Sequence, residues 1–396
     1  MLLLYVDDML ITGNTSSVME TFLDELSNQF KMKDLGQMHY FLGIQATFHA
    51  NGLFLNQQQY AEDILAVAAM SDCNPVATPL PTQLNQIPQQ KELFSDPTYF
   101  RSLAGKLQYL TLTRPDIQYS VNYICQKMHA PSVLDFNLLK RILRYIRGTT
   151  KLGINFTSET DFAVRAYSDS DWGGCSSTRR STGGFCTFLG SNLISWSSLK
   201  QNSVSRSSTE AEYRSLSETA TELHWIGSVM RELGIPMKTT PELYGDNLSS
   251  VHLTANPAFH KRSKHFEIDY HYVRERVALK ALVVRHIPAR FQLADIFTKS
   301  LPAAAFQSLR SKLGVVEPPS QSLRGAIGTL PASEQNDTVL PKRFTAKQKG
   351  KAILIPSDDK AQVPVCQGFV IIQSTKLSTV DDHQKQRTQV SCYLYD

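Results

Sequence analysis

Apolar residues fill positions 1–6 and return at 9–11, with only Asp7-Asp8 between them. Two β-favouring runs so close together predict a tight hairpin with carboxylates at its tip. The period then changes. Val18, Met19, Phe22, Leu23, Leu26 and Phe30 recur at helical spacing around a Ser17-x-x-Glu20 capping box, which predicts an amphipathic helix. Strands are expected at 38–46 and 53–55 around Asn51-Gly52, and a helix over 58–69. Residues 74–96, rich in Pro and Gln, read as a linker. Helical periodicity resumes over 97–147. In its last helix Leu139, Ile142, Leu143 and Ile146 share the inner face, while Lys140, Arg144 and Arg147 lie along another.

From about residue 159 strands alternate with helices. Strands are expected at 162–168, 183–190, 192–197, 243–245 and 281–287. A long helix at 208–233 is closed by Gly234 and Pro236, another helix follows Asp246, and a last one starts at Leu293. This order predicts an α/β mixed sheet with helices on both faces. Beyond Gly314 no period is sustained. Residues 315–396 read as a disordered tail, in which a strand at 363–372 has no visible partner.

Composition narrows the class. A chain of 396 residues, 42% hydrophobic and 19% charged, buries a substantial core in about two or three domains. The opening apolar run is too short to span a membrane and lacks the make-up of a secretion signal, so no membrane partner is expected. A net charge of +5 permits a polyanionic partner without requiring one. Six cysteines with no C-x-x-C pair read as reduced thiols of an intracellular protein.

Two carboxylate sets carry candidate chemistry. Asp7 and Asp8 repel each other, which a nearby cation would offset; they read either as a magnesium site for phosphoryl transfer or as a solvated turn. The second set is scattered: Asp169 at a strand end, Glu212 early in the long helix, Asp246 at another strand end, Asp295 at the start of the last helix. Each alone reads as a cap or solvated group. All four fall where α/β sheets build their sites, and no Lys or Arg adjoins them to compensate, so the set calls for Mg2+ or Mn2+. Asp171 would face the same side as Asp169, and periodicity does not choose between them. His286 ends a strand near Asp295 and reads as a proton shuttle or as a hydrogen-bonded structural histidine. The stretch 260–276 carries Lys261, Arg262, Lys264 and Arg274 among Phe266, Tyr270 and Tyr272. Together with the Lys140, Arg144 and Arg147 face it suits a nucleic-acid backbone, the alternative being an amphipathic surface helix. His260, His265 and His271 share no helix face, so zinc is not expected.

These residues are familiar. LLLYVDDMLITG resembles the catalytic hairpin of copia-class retrotransposon reverse transcriptases. MKDLGQMHYFLGIQ and GLFLNQQQYAEDIL resemble the palm and thumb segments after it, and YFRSLAGKLQYLTLTRPDIQYSVN and LKRILRYIRGT the connecting region. AYSDSDWGGCSSTRRSTGGFCTFLG, ISWSSLKQNSVSRSSTEAEYRSL, YGDN and HIPARFQLADIFTK are similar to the copia-type RNase H domain. The resemblance implies an RNase H-like mixed sheet at 159–314, preceded by a truncated α+β palm and thumb (1–80) and a connection region (81–158), with a tail at 315–396. It implies that Asp169, rather than Asp171, with Glu212, Asp246 and Asp295 holds two Mg2+ or Mn2+ ions, and that His286 is the mobile histidine. The implied substrate is an RNA–DNA hybrid. The implied setting is a DNA-integrating element whose upstream Pol segments are possible partners, in a cytoplasmic virus-like particle. The fingers and a third palm carboxylate have no counterpart here, so Asp7 and Asp8 are expected to be vestigial and polymerase activity absent. The competing expectations are a non-catalytic RNA- or hybrid-binding remnant and an inactive transposon fossil.

Overall fold

The computed structural model describes residues 1–6, 8–84, 92–255, 266–319 and 369–374. The chain packs as two units, Met1–Phe41 with Asp337–Asp396, and Leu42–Asn336.

In the first unit, β1 (Leu2–Tyr5) and β2 (Asp8–Thr12) form the predicted antiparallel hairpin, Tyr5 opposite Asp8, with Val6 at a φ of 51°. Asp7 lies outside the described residues. Helix α1 (Ser16–Gln29) starts before the predicted capping box. Thr15 is its N-cap, and its hydroxyl donates to Asn14 rather than capping the helix. Ser17 is therefore already inside the helix, and the box does not form. β3 (Met32–Gln37) and a short β4 (Tyr40–Phe41) follow. The expectation of a partnerless strand in the tail is corrected. A strand at Phe369–Ser374 lies antiparallel between β2 and β3, Ile371 opposite Leu10 and Ile372 opposite Asp34. Strand partners distant in sequence leave no local signal, which is why the pattern alone found none.

The second unit opens with β5 (Ile44–His49) and β6 (Gly52–Asn56), joined at Asn51-Gly52 as predicted. Gly52 has a φ of 154°, and a Cβ there would lie 1.9 Å from the Phe156 carbonyl oxygen, so the position needs glycine. Helix α2 (Gln58–Val67) follows. The helical stretch 97–147 is three helices: α3 (Pro97–Leu110), α4 (Gln118–Cys125) and α5 (Val133–Arg147). Prolines make the breaks. Pro115 begins a 3-10 turn before α4, and Pro131 precedes Ser132, which forms a capping box with Asp135 on α5. Strand β7 (Gly153–Thr157) then pairs antiparallel with β6.

A mixed sheet follows. β8 (Val164–Asp171), β9 (Thr182–Leu189) and β10 (Asn192–Lys200) form an antiparallel meander. After α6 (Ser208–Glu232), β11 (Glu242–Gly245) pairs parallel to β8. After α7 (Leu248–Ala255) and α8 (Glu267–Ala278), β12 (Val283–His286) pairs parallel to β11, giving the order β10-β9-β8-β11-β12. The expected last helix at Leu293 is a 3-10 turn, Leu293–Phe297; the α-helix, α9 (Ala303–Lys312), starts only after its N-cap Pro302. β13 (Val315–Val316) closes onto β7.

Both faces of the mixed sheet are covered. Val164, Ala166 and Leu243 pack with Tyr213, Leu216 and Leu223 of α6 and Tyr270 and Val273 of α8. Cys186, Phe188, Ile296 and Phe297 join a second core that runs through α2–α5 and α9 to Val315. The fold is thus the mixed α/β arrangement expected, because side chains on each strand alternate between two apolar layers. Among the described residues, no helix is long and apolar enough to cross a membrane.

Candidate metal centre

The first acid is placed by β8. Asp169 sits near the strand's C-terminal end, opposite Gly184 of β9, and is 2% exposed. Gly184 matters because a Cβ there would lie 2.7 Å from Phe297 Cβ; its bare backbone lets the turn Leu293–Phe297 come against the sheet beside Asp169. Three neighbours orient Asp169. The Ser215 hydroxyl of α6 donates to its carbonyl (2.9 Å), the Thr298 hydroxyl donates to its Oδ2, and Lys299 Nζ lies 3.3 Å from Oδ2.

The second acid, Glu212, comes from the first turns of α6, a helix started by Ser207, whose Oγ accepts from the Glu210 N–H (3.2 Å). The third, Asp246, follows directly on β11, which the parallel pairing brings level with β8. Strand end, helix start and neighbouring strand end therefore converge. One carboxylate oxygen from each of Asp169, Glu212 and Asp246 lies within 4.8 Å of the others.

Burial makes this arrangement electrostatically expensive. The Glu212 carboxyl is pushed up to about 9, first by burial and then by the charges of Asp169 and Asp246. Burial and then Asp169 also raise Asp246. Asp295 rises to about 6, from burial first and Asp169 next. Hard oxygen donors that repel one another at this spacing fit a divalent cation, which would replace the repulsion with attraction.

The other candidates fall differently. Asp295 stands in the Leu293–Phe297 turn with Oδ1 2.9 Å from Lys299 Nζ, so its nearest charge is a lysine. Burial opposes the Lys299 ammonium, but Asp169 and Asp295 outweigh it and hold it protonated. Asp171 accepts a hydrogen bond from the Thr182 N–H and is pushed up to about 7, mainly by burial; the convergent trio contains Asp169 and not Asp171. His286 is exposed at the end of β12, its Nε2 3.2 Å from the Asp246 carbonyl oxygen. Asp8 lies in the first unit, on the β1–β2 hairpin. Along α5, Lys140 lies over the Phe136 ring. Arg144 Nε donates to the Asn74 carbonyl (2.7 Å) and Arg147 Nε to that of Ser71, so both tie the segment after α2 to α5. The Arg274 guanidinium lies 5.0 Å from the Tyr270 ring centre. Lys261, Arg262 and Lys264 lie outside the described residues.

Sequence reading missed Lys299, Thr298 and Gln292. Gln292, 1% exposed, donates from Nε2 to the Ser168 carbonyl (2.9 Å) and accepts from the Ala294 N–H, fixing the turn to β8. The lack of a compensating cation near the acids is corrected: Lys299 is one. Its spacing of four residues from Asp295 is the signal that finds it.

A family model for reverse transcriptase (RNA-dependent DNA polymerase) matches residues 1–82. The retrovirus-related Pol polyprotein from transposon RE2 of Arabidopsis thaliana is 46% identical over 320 residues, covering 81% of this chain. The chain spans only 22% of that relative's length. A putative transposon Ty5-1 protein of Saccharomyces cerevisiae is 30% identical over 222 residues, covering 55% of this chain and 72% of its own length. Among solved structures, the N-terminal RNase H domain of a Mycobacterium tuberculosis protein aligns over 37% of this chain and 99% of its own, with 15% identity and a TM-score of 0.28. On the strength of the sequence relatives, this chain belongs to the family of copia-type retrotransposon Pol polyproteins.

Proposed function

We propose that the mixed-sheet region hydrolyses the RNA strand of RNA–DNA hybrids. The observation that supports this most is the meeting of Asp169, Glu212 and Asp246 within 4.8 Å, from elements far apart in sequence. Divalent ions bound there supply a more acidic water and charge compensation at the departing 3′ oxygen. The protein's own part is positioning. Thr298 donates to Oδ2 of Asp169, which restrains the carboxylate that meets Glu212 and Asp246. Ser215 and Gln292 anchor the backbone on either side of that carboxylate. In this reading His286, exposed with Nε2 3.2 Å from the Asp246 carbonyl oxygen, would be the group that helps product leave. Choice of RNA at the cut strand rests on contacts to the 2′-hydroxyl. The test is cleavage of a labelled RNA–DNA hybrid with Mg2+ or Mn2+, beside a DNA duplex of the same sequence. Metal-independent cleavage, or none in wild type under conditions where the protein is folded and binds the ion, overturns the reading.

A further inference from the structure

Lys299 sits in the acid cluster as a cation the chain carries itself. Its ammonium is 2.9 Å from Asp295 Oδ1 and 3.3 Å from Asp169 Oδ2. The local fold puts it there: the Lys299 N–H donates to the Asp295 carbonyl (3.1 Å), so the turn stacks lysine over acid. Asp169 Oδ2 is further occupied by the Thr298 hydroxyl. The ammonium thus already lies against one oxygen of Asp169 and one of Asp295, while Asp169, Glu212 and Asp246 bring one oxygen each within 4.8 Å of one another. The Lys299 side chain is 44% exposed against 3% for Asp169, so its flexible stem has an outlet to water.

We propose that Lys299 is a tethered counter-cation that occupies the Asp169–Asp295 side of the centre, so that divalent ions bind in order. The first enters among Asp169, Glu212 and Asp246. The second binds beside Asp295 only after the ammonium is displaced, because two cations do not share the same oxygens. This rests on the proposed metal-centre reading and adds to it an asymmetry between two sites that four equivalent acids would not have. Lys299 acts here as a positioning residue.

The test is calorimetric titration of the full chain with Mn2+ alone, at fixed pH and without substrate, on wild type, Lys299→Ala, Lys299→Gln and Lys299→Arg. The expected result is a tighter and a weaker step in wild type. Removing the ammonium should strengthen the weaker step about tenfold or more and the tighter one by clearly less, since the charge it removes competes directly at the weaker site and acts on the tighter one only through Asp169. Lys299→Arg, which keeps the charge, should restore the weak second step. Without metal, Lys299→Ala and Lys299→Gln should melt below wild type, and saturating Mn2+ should close the gap. Lys299→Gln keeps a polar side chain one atom shorter than lysine without the charge, so a misfolded alanine variant does not decide the matter. Two Mn2+ steps that ignore every Lys299 substitution overturn this proposal alone. No Mn2+ step in a folded wild type, with Asp169→Asn titrating identically, overturns the metal-centre reading and this proposal with it.

Discussion

Two sets of buried charge in the second unit are built on opposite principles. In the helical core, Arg114 and Asp116 form a two-pronged ion pair (Nε–Oδ1 2.8 Å, Nη2–Oδ2 2.7 Å), with both side chains almost fully buried. Tyr145 donates to the same carboxylate (2.6 Å), and Arg114 Nη1 donates to the Thr149 carbonyl (2.7 Å). At the sheet end, Asp169, Glu212 and Asp246 meet within 4.8 Å, and among the described residues the cation that pairs with them is Lys299, 3.3 Å from Asp169 Oδ2. The first set is complete within the chain and holds the turn before α4 to α5. The second leaves its carboxylates repelling one another in a buried place, and the proposed divalent cation would offset that repulsion.

The strongest way to break this contrast is to substitute Asp169 or Asp246 with Asn. Hybrid cleavage should fall by about two to three orders of magnitude, because charge stabilisation at the transition state is lost. Hybrid binding by filter retention should change little, since phosphate contacts supply most of it. Metal-free stability should hold or rise, because one repelling charge is removed. Asp169→Asn that unfolds the protein while leaving the activity per folded molecule intact would make the trio structural.

Asp116→Ala should do the reverse. It strands a buried guanidinium and should cost about 3–5 kcal/mol in denaturant unfolding, with Mg2+ affinity unchanged. A loss under about 1 kcal/mol would show that the pair is not the closed device described here.

The two sets also predict opposite pH limbs. Burial works against ionised Asp116, but Arg114 and the Tyr145 hydrogen bond outweigh it and lower its pKa. Its contribution is therefore present above the ordinary carboxylate range and lost as pH falls below that range through the lowered folded pKa. Glu212, raised to about 9, and Asp295, raised to about 6, bind protons more readily folded than unfolded. Their effect on metal-free stability is neutral below the unfolded carboxylate pKa and grows unfavourable as pH climbs toward 9. Melts across pH in a chelator should show both limbs, and Mg2+ should lift only the alkaline one. Equal rescue of the acid limb would contradict the assignment.

The smallest effect is expected at Asp171. Its carboxylate is spent on the Thr182 N–H, so Asp171→Asn should lower cleavage by less than about tenfold. Abolished cleavage there, with Asp169→Asn still active, would reverse the two residues' roles.

Much of this was legible in the chain because its causes are local. The five strands of the mixed sheet and α6 follow from apolar periodicity, Gly234 and Pro236, and fall within a few residues of their predicted ranges. Asp169, Glu212, Asp246 and Asp295 stood out as candidates because each adjoins an element boundary. Periodicity failed where one segment meets another far away. The break of 97–147 into three helices had a local mark in Pro115 and Pro131, which the helical period obscured. The seating of Phe369–Ser374 between β2 and β3 had none.

Local pattern settles which residues sit at strand ends and helix starts, since backbone propensity and side-chain alternation act over a few residues. Which of those acids meet depends on how the elements pack. Parallel pairing of β8 with β11 sets Asp246 beside Asp169, and α6 packing adds Glu212. The bare backbone at Gly184 admits a turn that puts Lys299, rather than a fourth equivalent carboxylate, against Asp169. Electrostatic energy depends on distance through space and on the water excluded between charges, and neither quantity exists until the sheet has closed.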